Sequence, residues 1–163
     1  MVACNAEGVG SVDGVMSESD IYETVRLDLM RYATALVGRN TAEDVVSTVV
    51  TRVLARPGGL GGLRDPKQYL MRSILNEVRT RHRQRTRQPV VHVVVPDNAV
   101  QPVEDHVIDV IEQLPSQQRA AAFLVFYEGY TPSEAAKLMG CRPGTVRRYL
   151  HLARTKLREE LDG

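Results

Sequence analysis

The sequence holds little of what most function classes require. Only two cysteines occur in 163 residues, and Cys4 and Cys141 lie too far apart to read as a disulfide framework. Cys141 reads as a small packing residue, because no second thiol stands near it in sequence. No apolar stretch approaches the length that crosses a bilayer, and the N-terminus lacks a basic region followed by an apolar core. Neither membrane insertion nor a secretory signal is therefore expected, which places the chain in the cytoplasm. A glycine-rich phosphate loop, a nucleophile with a neighbouring base and a carboxylate cluster are all missing. That argues against an enzyme, a cofactor or a small-molecule substrate. His82, His92, His106 and His151 show no metal-ligand spacing, so no metal is expected.

What is present is charge, sorted along the chain. The formal net charge is only +1, yet the first 46 residues carry eight acids against three bases, and Arg64 to Arg87 carries eight bases against Asp65 and Glu77. Such segregation suits one face for nucleic acid and another for a different partner. The run RTRHRQRTR, Arg79 to Arg87, could alternatively be a solvated basic tract, but helical patterning runs into it from the preceding segment.

Periodicity divides the rest. Residues 1–18 read as a flexible extension, rich in Gly, Ser, Asn and Asp up to Met16, which could itself be the start. From Ser19, Ile21, Val25, Leu29, Tyr32 and Leu36 follow helical spacing, with Gly38 as the stop. Thr41 and Asp44 have the spacing of a capping box, followed by the paired apolar residues Val45, Val46, Val49, Val50, Val53 and Leu54. Valine favours strands, but these pairs cover one helical face and do not alternate, so the reading is helix. PGGLGG breaks the chain at Pro57 to Gly62. Asp65 and Pro66 then open a third helix with the buried stripe Tyr69, Leu70, Ile74, Leu75 and Val78, continuous with the basic tract.

Residues 88–102, including VVHVVV, are bracketed by prolines and mark a linker between two domains, 19–87 and 103–163. The apolar VVHVVV is expected to be covered, as a strand or as a peptide in a groove. In the second domain Val107, Ile108, Ile111 and Leu114 give one helix, ended by Pro115. A second, capped by Ser116, presents Phe123, Leu124, Phe126 and Tyr127 as an aromatic core face before Gly129. Thr131 with Glu134 forms a capping box, Pro132 fits the first turn and Gly140 can end the helix in the left-handed conformation. Pro143 opens the last helix, with Val146, Leu150, Ala153, Leu157 and Leu161 on one stripe and Arg147, Arg148, His151, Arg154 and Arg158 largely outside it. Two helices joined by a short turn, the second rich in guanidinium groups, is the layout of a DNA-reading helix-turn-helix. The fold class expected is all-α: two small helical domains joined by a linker, the second a four-helix domain.

In that order, AEDVVSTVVTRVL, DPKQYLMRSILNEVRTRHR, a proline-marked linker and LPSQQRAAAFLVFYEGYTPSEAAKLMGCRPGTVRRYLHLARTKLREEL resemble a minimal bacterial RNA polymerase sigma factor of the extracytoplasmic-function type, from about Ser19 to Leu161. The resemblance implies a protein without enzymatic activity of its own that binds core RNA polymerase and directs it to promoter DNA. It implies docking on the polymerase clamp through Glu43, Asp44, Ser47, Thr48 and Arg52. Meeting the −10 element falls to Asn76, Arg79, Arg81, His82 and Arg83. Major-groove reading of the −35 element falls to Thr131, Arg142, Thr145, Arg147, Arg148 and His151. An anti-sigma factor is a further partner implied at family level. Relatives usually carry glutamine and an aromatic residue where Ser47 and Val50 stand, and serine where Arg142 stands. Two other readings remain open at this point: a helix-turn-helix regulator acting without polymerase, and a sigma-like protein-interaction module.

Overall fold

The computed structural model describes residues 16–87 and 113–162. The extension up to residue 15, the linker with VVHVVV, and the helix expected from Val103 as far as Glu112 lie outside the described residues. Those that are described form helices α1 (Glu18–Val37), α2 (Arg39–Leu54), α3 (Pro66–Arg87), α4 (Ser116–Ala122), α5 (Pro132–Met139) and α6 (Pro143–Asp162), with a π-helical turn, Phe123–Tyr127, continuing α4.

Helix α1 starts at a capping box one turn ahead of its first apolar residue. Ser17 Oγ accepts from the Asp20 amide at 3.1 Å, and Asp20 Oδ2 accepts from the Ser17 amide at 3.3 Å. Val25, Leu29, Tyr32, Ala33 and Leu36 are buried along it. Gly38, at φ 79°, then closes α1 and opens α2. Its amide donates to the Thr34 carbonyl at 2.9 Å, and its carbonyl accepts from the Ala42 amide at 3.1 Å. The capping box expected of Thr41 and Asp44 is therefore absent. Helix α2 begins at Arg39 without a side-chain cap, so Thr41 already lies inside it. All five valines of α2 that were placed on the apolar face are buried, whereas Leu54 is exposed. Asp65 Oδ1 caps α3 by accepting from the Gln68 amide at 3.0 Å.

The second half corrects two expectations. Pro115, not Ser116, occupies the N-cap of α4, and Ser116 is the first helical residue. Phe126 and Tyr127 are 50% and 58% exposed, so the aromatic core face reduces to Leu124 with half-buried Phe123. The cause is the π turn, in which the Glu128 amide reaches back to the Phe123 carbonyl at 3.0 Å. Its wider turn holds one extra residue and rotates Phe126 and Tyr127, at its end, off the buried stripe. Downstream the helix-turn-helix forms as read. Thr131 Oγ1 accepts from the Glu134 amide at 3.3 Å, Glu134 Oε2 accepts from the Thr131 amide at 2.8 Å, and Gly140 is left-handed at φ 68°.

The two halves pack against each other. Helix α1 meets α4, α3 meets α5, and one apolar cluster runs from Leu29, Leu36 and Met71 into Leu124, Met139 and Val146. The Tyr32 and Phe123 rings lie 5.4 Å apart across this seam.

Candidate nucleic-acid and partner interfaces

The five residues expected to dock a protein lie along α2. Glu43, Asp44, Ser47 and Arg52 are exposed and Thr48 is half-buried. Beside them α1, α2 and the loop after α2 enclose a groove of about 630 Å³, floored by Tyr22, Met30, Val46, Val50 and Leu60 and rimmed by Glu18 and Glu43. Nothing in the α2 sequence alone indicates this groove, because Tyr22, Met30 and Leu60 come from other segments.

On α3 the expected DNA set divides. Asn76, His82 and Arg83 are exposed. Arg79 instead turns toward the second half, donating to Gln117 Oε1 at 2.7 Å and to the Met139 carbonyl at 3.0 Å, with a longer bond to Asn76 Oδ1 at 3.3 Å. Arg81 turns toward α2. Its Nε donates to Glu77 Oε1 at 2.8 Å, and its terminal nitrogens donate to Asp44 Oδ2 at 2.5 Å and Thr48 Oγ1 at 3.2 Å. Two residue sets read as separate are thus joined at one guanidinium. Further along, Arg81, His82 and Arg85 of α3 and Arg119 of α4 line a cleft of about 430 Å³ over Leu36 and Val78.

Glu77 organises that junction, and the site residues read from the sequence do not include it. It is 7% exposed, with Oε1 on Arg81 and Oε2 paired to Arg52. Burial alone would raise its pKa, but the hydrogen bonds and charges of Arg81 and Arg52 outweigh it and hold the carboxyl below its ordinary range. One signal was available: an acid inside a basic tract, three residues after buried Ile74 and four before Arg81. A carboxylate with a lowered folded-state pKa contributes stability that is present at neutral pH and lost as pH falls through the folded pKa. Acidification from neutrality to below the ordinary carboxylate range is therefore expected to destabilise the wild type more steeply than Glu77→Gln. Urea midpoints measured across that interval check this, and identical slopes would exclude it.

The helix-turn-helix set is held differently. Arg142, Arg147, Arg148 and His151 are exposed on or just before α6, opposite buried Val146, Leu150 and Ala153, and Thr145 is half-buried. Thr131 is exposed, but its hydroxyl is already bonded to Glu134 Oε2 at 2.8 Å. Those bonds from Thr131 hold the Glu134 carboxyl below its usual pKa. Arg154, outside the expected set, stacks its guanidinium over Phe126 at 5.0 Å, one of the aromatic rings that the π turn exposes. No helix among the described residues is long and apolar enough to cross a membrane.

Comparison with known proteins bears on both halves. Residues 105–157 match the family described as Sigma-70, region 4. The RNA polymerase sigma-E factor of Streptomyces avermitilis is 31% identical, over 91% of this chain and 88% of the relative. That of Streptomyces antibioticus is 30% identical, over 91% and 86%, and that of Streptomyces coelicolor is 30% identical, over 91% and 88%. Among solved structures, the sigma factor RpoE in complex with the anti-sigma factor NepR from Bartonella quintana superposes with a TM-score of 0.69. It is 23% identical, covering 88% of this chain and 96% of that one. The last of these is a likeness of fold.

Proposed function

Because this chain belongs to the RNA polymerase sigma factors of the extracytoplasmic-function type, which bind core polymerase and direct it to promoter DNA, we propose a division of that work among its helices. Helix α2 docks on the polymerase through Glu43, Asp44, Ser47, Thr48 and Arg52. Helix α3 meets the −10 element through Asn76, Arg79, Arg81, His82 and Arg83. Helix α6, with the turn before it, reads the −35 element through Arg142, Thr145, Arg147, Arg148 and His151, and Thr131 places the start of α5 against the backbone. The protein does this in the cytoplasm, without a cofactor, a small-molecule substrate or catalysis of its own. An inhibitor of the anti-sigma kind would find the groove between α1 and α2 open to it.

The observation that carries the reading is the set of exposed guanidinium groups on α6, opposite a buried stripe that fixes their direction. Planar guanidinium groups pair with guanine edges or with phosphates, and position on the helix separates the two roles. Arg142 precedes the helix and suits a phosphate, while Arg147 projects from its second turn. Arg142→Ala should weaken all promoters similarly. Arg147→Ala should cost about 1–3 kcal/mol at one base position and relax preference there. Multi-round transcription with core polymerase and a randomised promoter library measures both. Equal effects of the two across the library would contradict the assignment, and absence of promoter-specific RNA with the wild type would contradict the whole division.

One condition follows for α3. Arg79 donates to Gln117 and to the Met139 carbonyl in the closed arrangement, so its meeting with DNA requires the two halves to part.

A further inference from the structure

The family resemblance assigns Asp44 and Arg81 to different tasks, docking a protein and meeting DNA, yet the structure closes them on each other. All three nitrogens of the Arg81 guanidinium are occupied, by Glu77, Asp44 and Thr48, and its side chain is only 23% exposed. As it stands, three of its five N–H donors are engaged and its charge is compensated by two carboxylates, which disfavours a phosphate. Its two carboxylate partners differ sharply in access, however. Glu77 is buried and also holds Arg52. The Asp44 side chain is 68% exposed, on the face of α2 that carries the other docking residues. A basic group of an approaching protein can therefore take Asp44 but not Glu77.

We infer that Arg81 is a gated DNA contact: Asp44 holds it until the docking partner claims that carboxylate, and docking on α2 thereby hands a guanidinium to nucleic acid on α3. The inference rests on the division of work proposed above. Glu77 is the positioning residue of the gate. Its bond to Nε, one helical turn back, keeps the guanidinium on α3 while the terminal nitrogen that Asp44 holds is freed. Arg81 already lines, with His82, Arg85 and Arg119, a cleft with no carboxylate among its lining residues, and once Asp44 lets go its uncompensated charge adds to a field that favours a phosphate there. Linkage makes the coupling reciprocal, so DNA that captures Arg81 also leaves Asp44 freer for the partner.

The test uses the full chain and a labelled pool of short single-stranded DNA of randomised sequence, titrated across a salt series. Asp44→Asn opens the gate without a partner. It is expected to tighten binding about fivefold and to steepen the salt dependence by about 0.7 in the log–log slope, the signature of one further phosphate contact. Glu23→Gln, on α1, removes the same charge away from the gate and should change neither quantity comparably. Adding Arg81→Gln to Asp44→Asn should return both quantities to the level of Arg81→Gln alone. A gain from Glu23→Gln equal to that from Asp44→Asn, or a gain that survives loss of Arg81, would overturn the gate. Arg83→Gln separates the two levels of argument. If it leaves binding unchanged, the assignment of α3 to DNA fails and the gate falls with it; if it weakens binding while Asp44→Asn has no effect, the gate alone fails.

Discussion

Lys67→Met will cost the folded chain about 3 kcal/mol and loosen one half of the molecule from the other. Lys67 stands in the first turn of α3, with Nζ at 2.8 Å from Asp28 Oδ2 on α1 and 2.7 Å from Glu128 Oε2 at the end of the π turn. Burial alone would push its ammonium toward neutrality. Hydrogen bonds and charge from the two carboxylates outweigh that and hold its pKa above the ordinary lysine range. The three groups form a bridge through which both halves share one cation. Glu128 is 8% exposed, so methionine in place of Lys67 leaves a carboxylate desolvated and without its cation at the seam. Removing one partner of a buried pair usually costs more than removing both. The double variant Lys67→Met with Glu128→Gln should accordingly recover part of the loss. Urea unfolding gives the energy, and small-angle scattering gives the separation. An unchanged midpoint with an unchanged radius of gyration would show that the bridge does not hold the closed arrangement.

The second large effect concerns Tyr32, among the largest side chains with no exposed surface, packed at the seam against Phe123. Truncation to alanine removes an aromatic ring from a core shared by both halves, a change that typically costs 3–5 kcal/mol. One feature reduces the net loss. The Tyr32 hydroxyl has no hydrogen-bond partner among the described residues, and burial raises its pKa well above the usual phenol range, against the weaker pull of nearby Arg79. A buried hydroxyl without a partner carries a desolvation penalty in the folded state. Tyr32→Ala is expected to lose about 3 kcal/mol, at the low end of the range for that reason. Tyr32→Phe, which keeps the ring and deletes the penalty, is expected to gain about 1 kcal/mol. Thermal unfolding of the three proteins decides it. A phenylalanine variant less stable than the wild type would mean that the hydroxyl is satisfied.

Helical periodicity placed the described helices and most of their buried residues, because a core stripe is a local pattern repeated along one element. Local spelling failed where one pattern serves two purposes. Thr41 and Asp44 are spaced like a cap, but Gly38 had already started α2, and the carboxylate turned to Arg81. Ser17 and Asp20 form a true cap, although the composition of the first eighteen residues sets Ser17 with the extension and Asp20 alone in the helix. The exposure of Phe126 and Tyr127 depends on a π turn that no residue type announces. At the candidate interfaces the sequence supplied charge but not direction. Arg79, Arg81 and Arg83 alternate along one basic run, yet they face the second half, α2 and solvent respectively. What decides between those directions is Gln117, Met139 and Asp44, each more than 35 positions from its arginine.

Gly38 has a mechanical meaning beyond its turn. A single residue separates α1 from α2, and both of its backbone polar groups are in use, the amide bonded back to Thr34 and the carbonyl forward to Ala42. The joint has no slack. Asp44 lies within two turns of this elbow, and α1 runs from the elbow past Tyr32, whose ring meets Phe123, with no loop between. On the proposed division of work the two helices form a bent lever, with one arm on the docking face and the other under the second half.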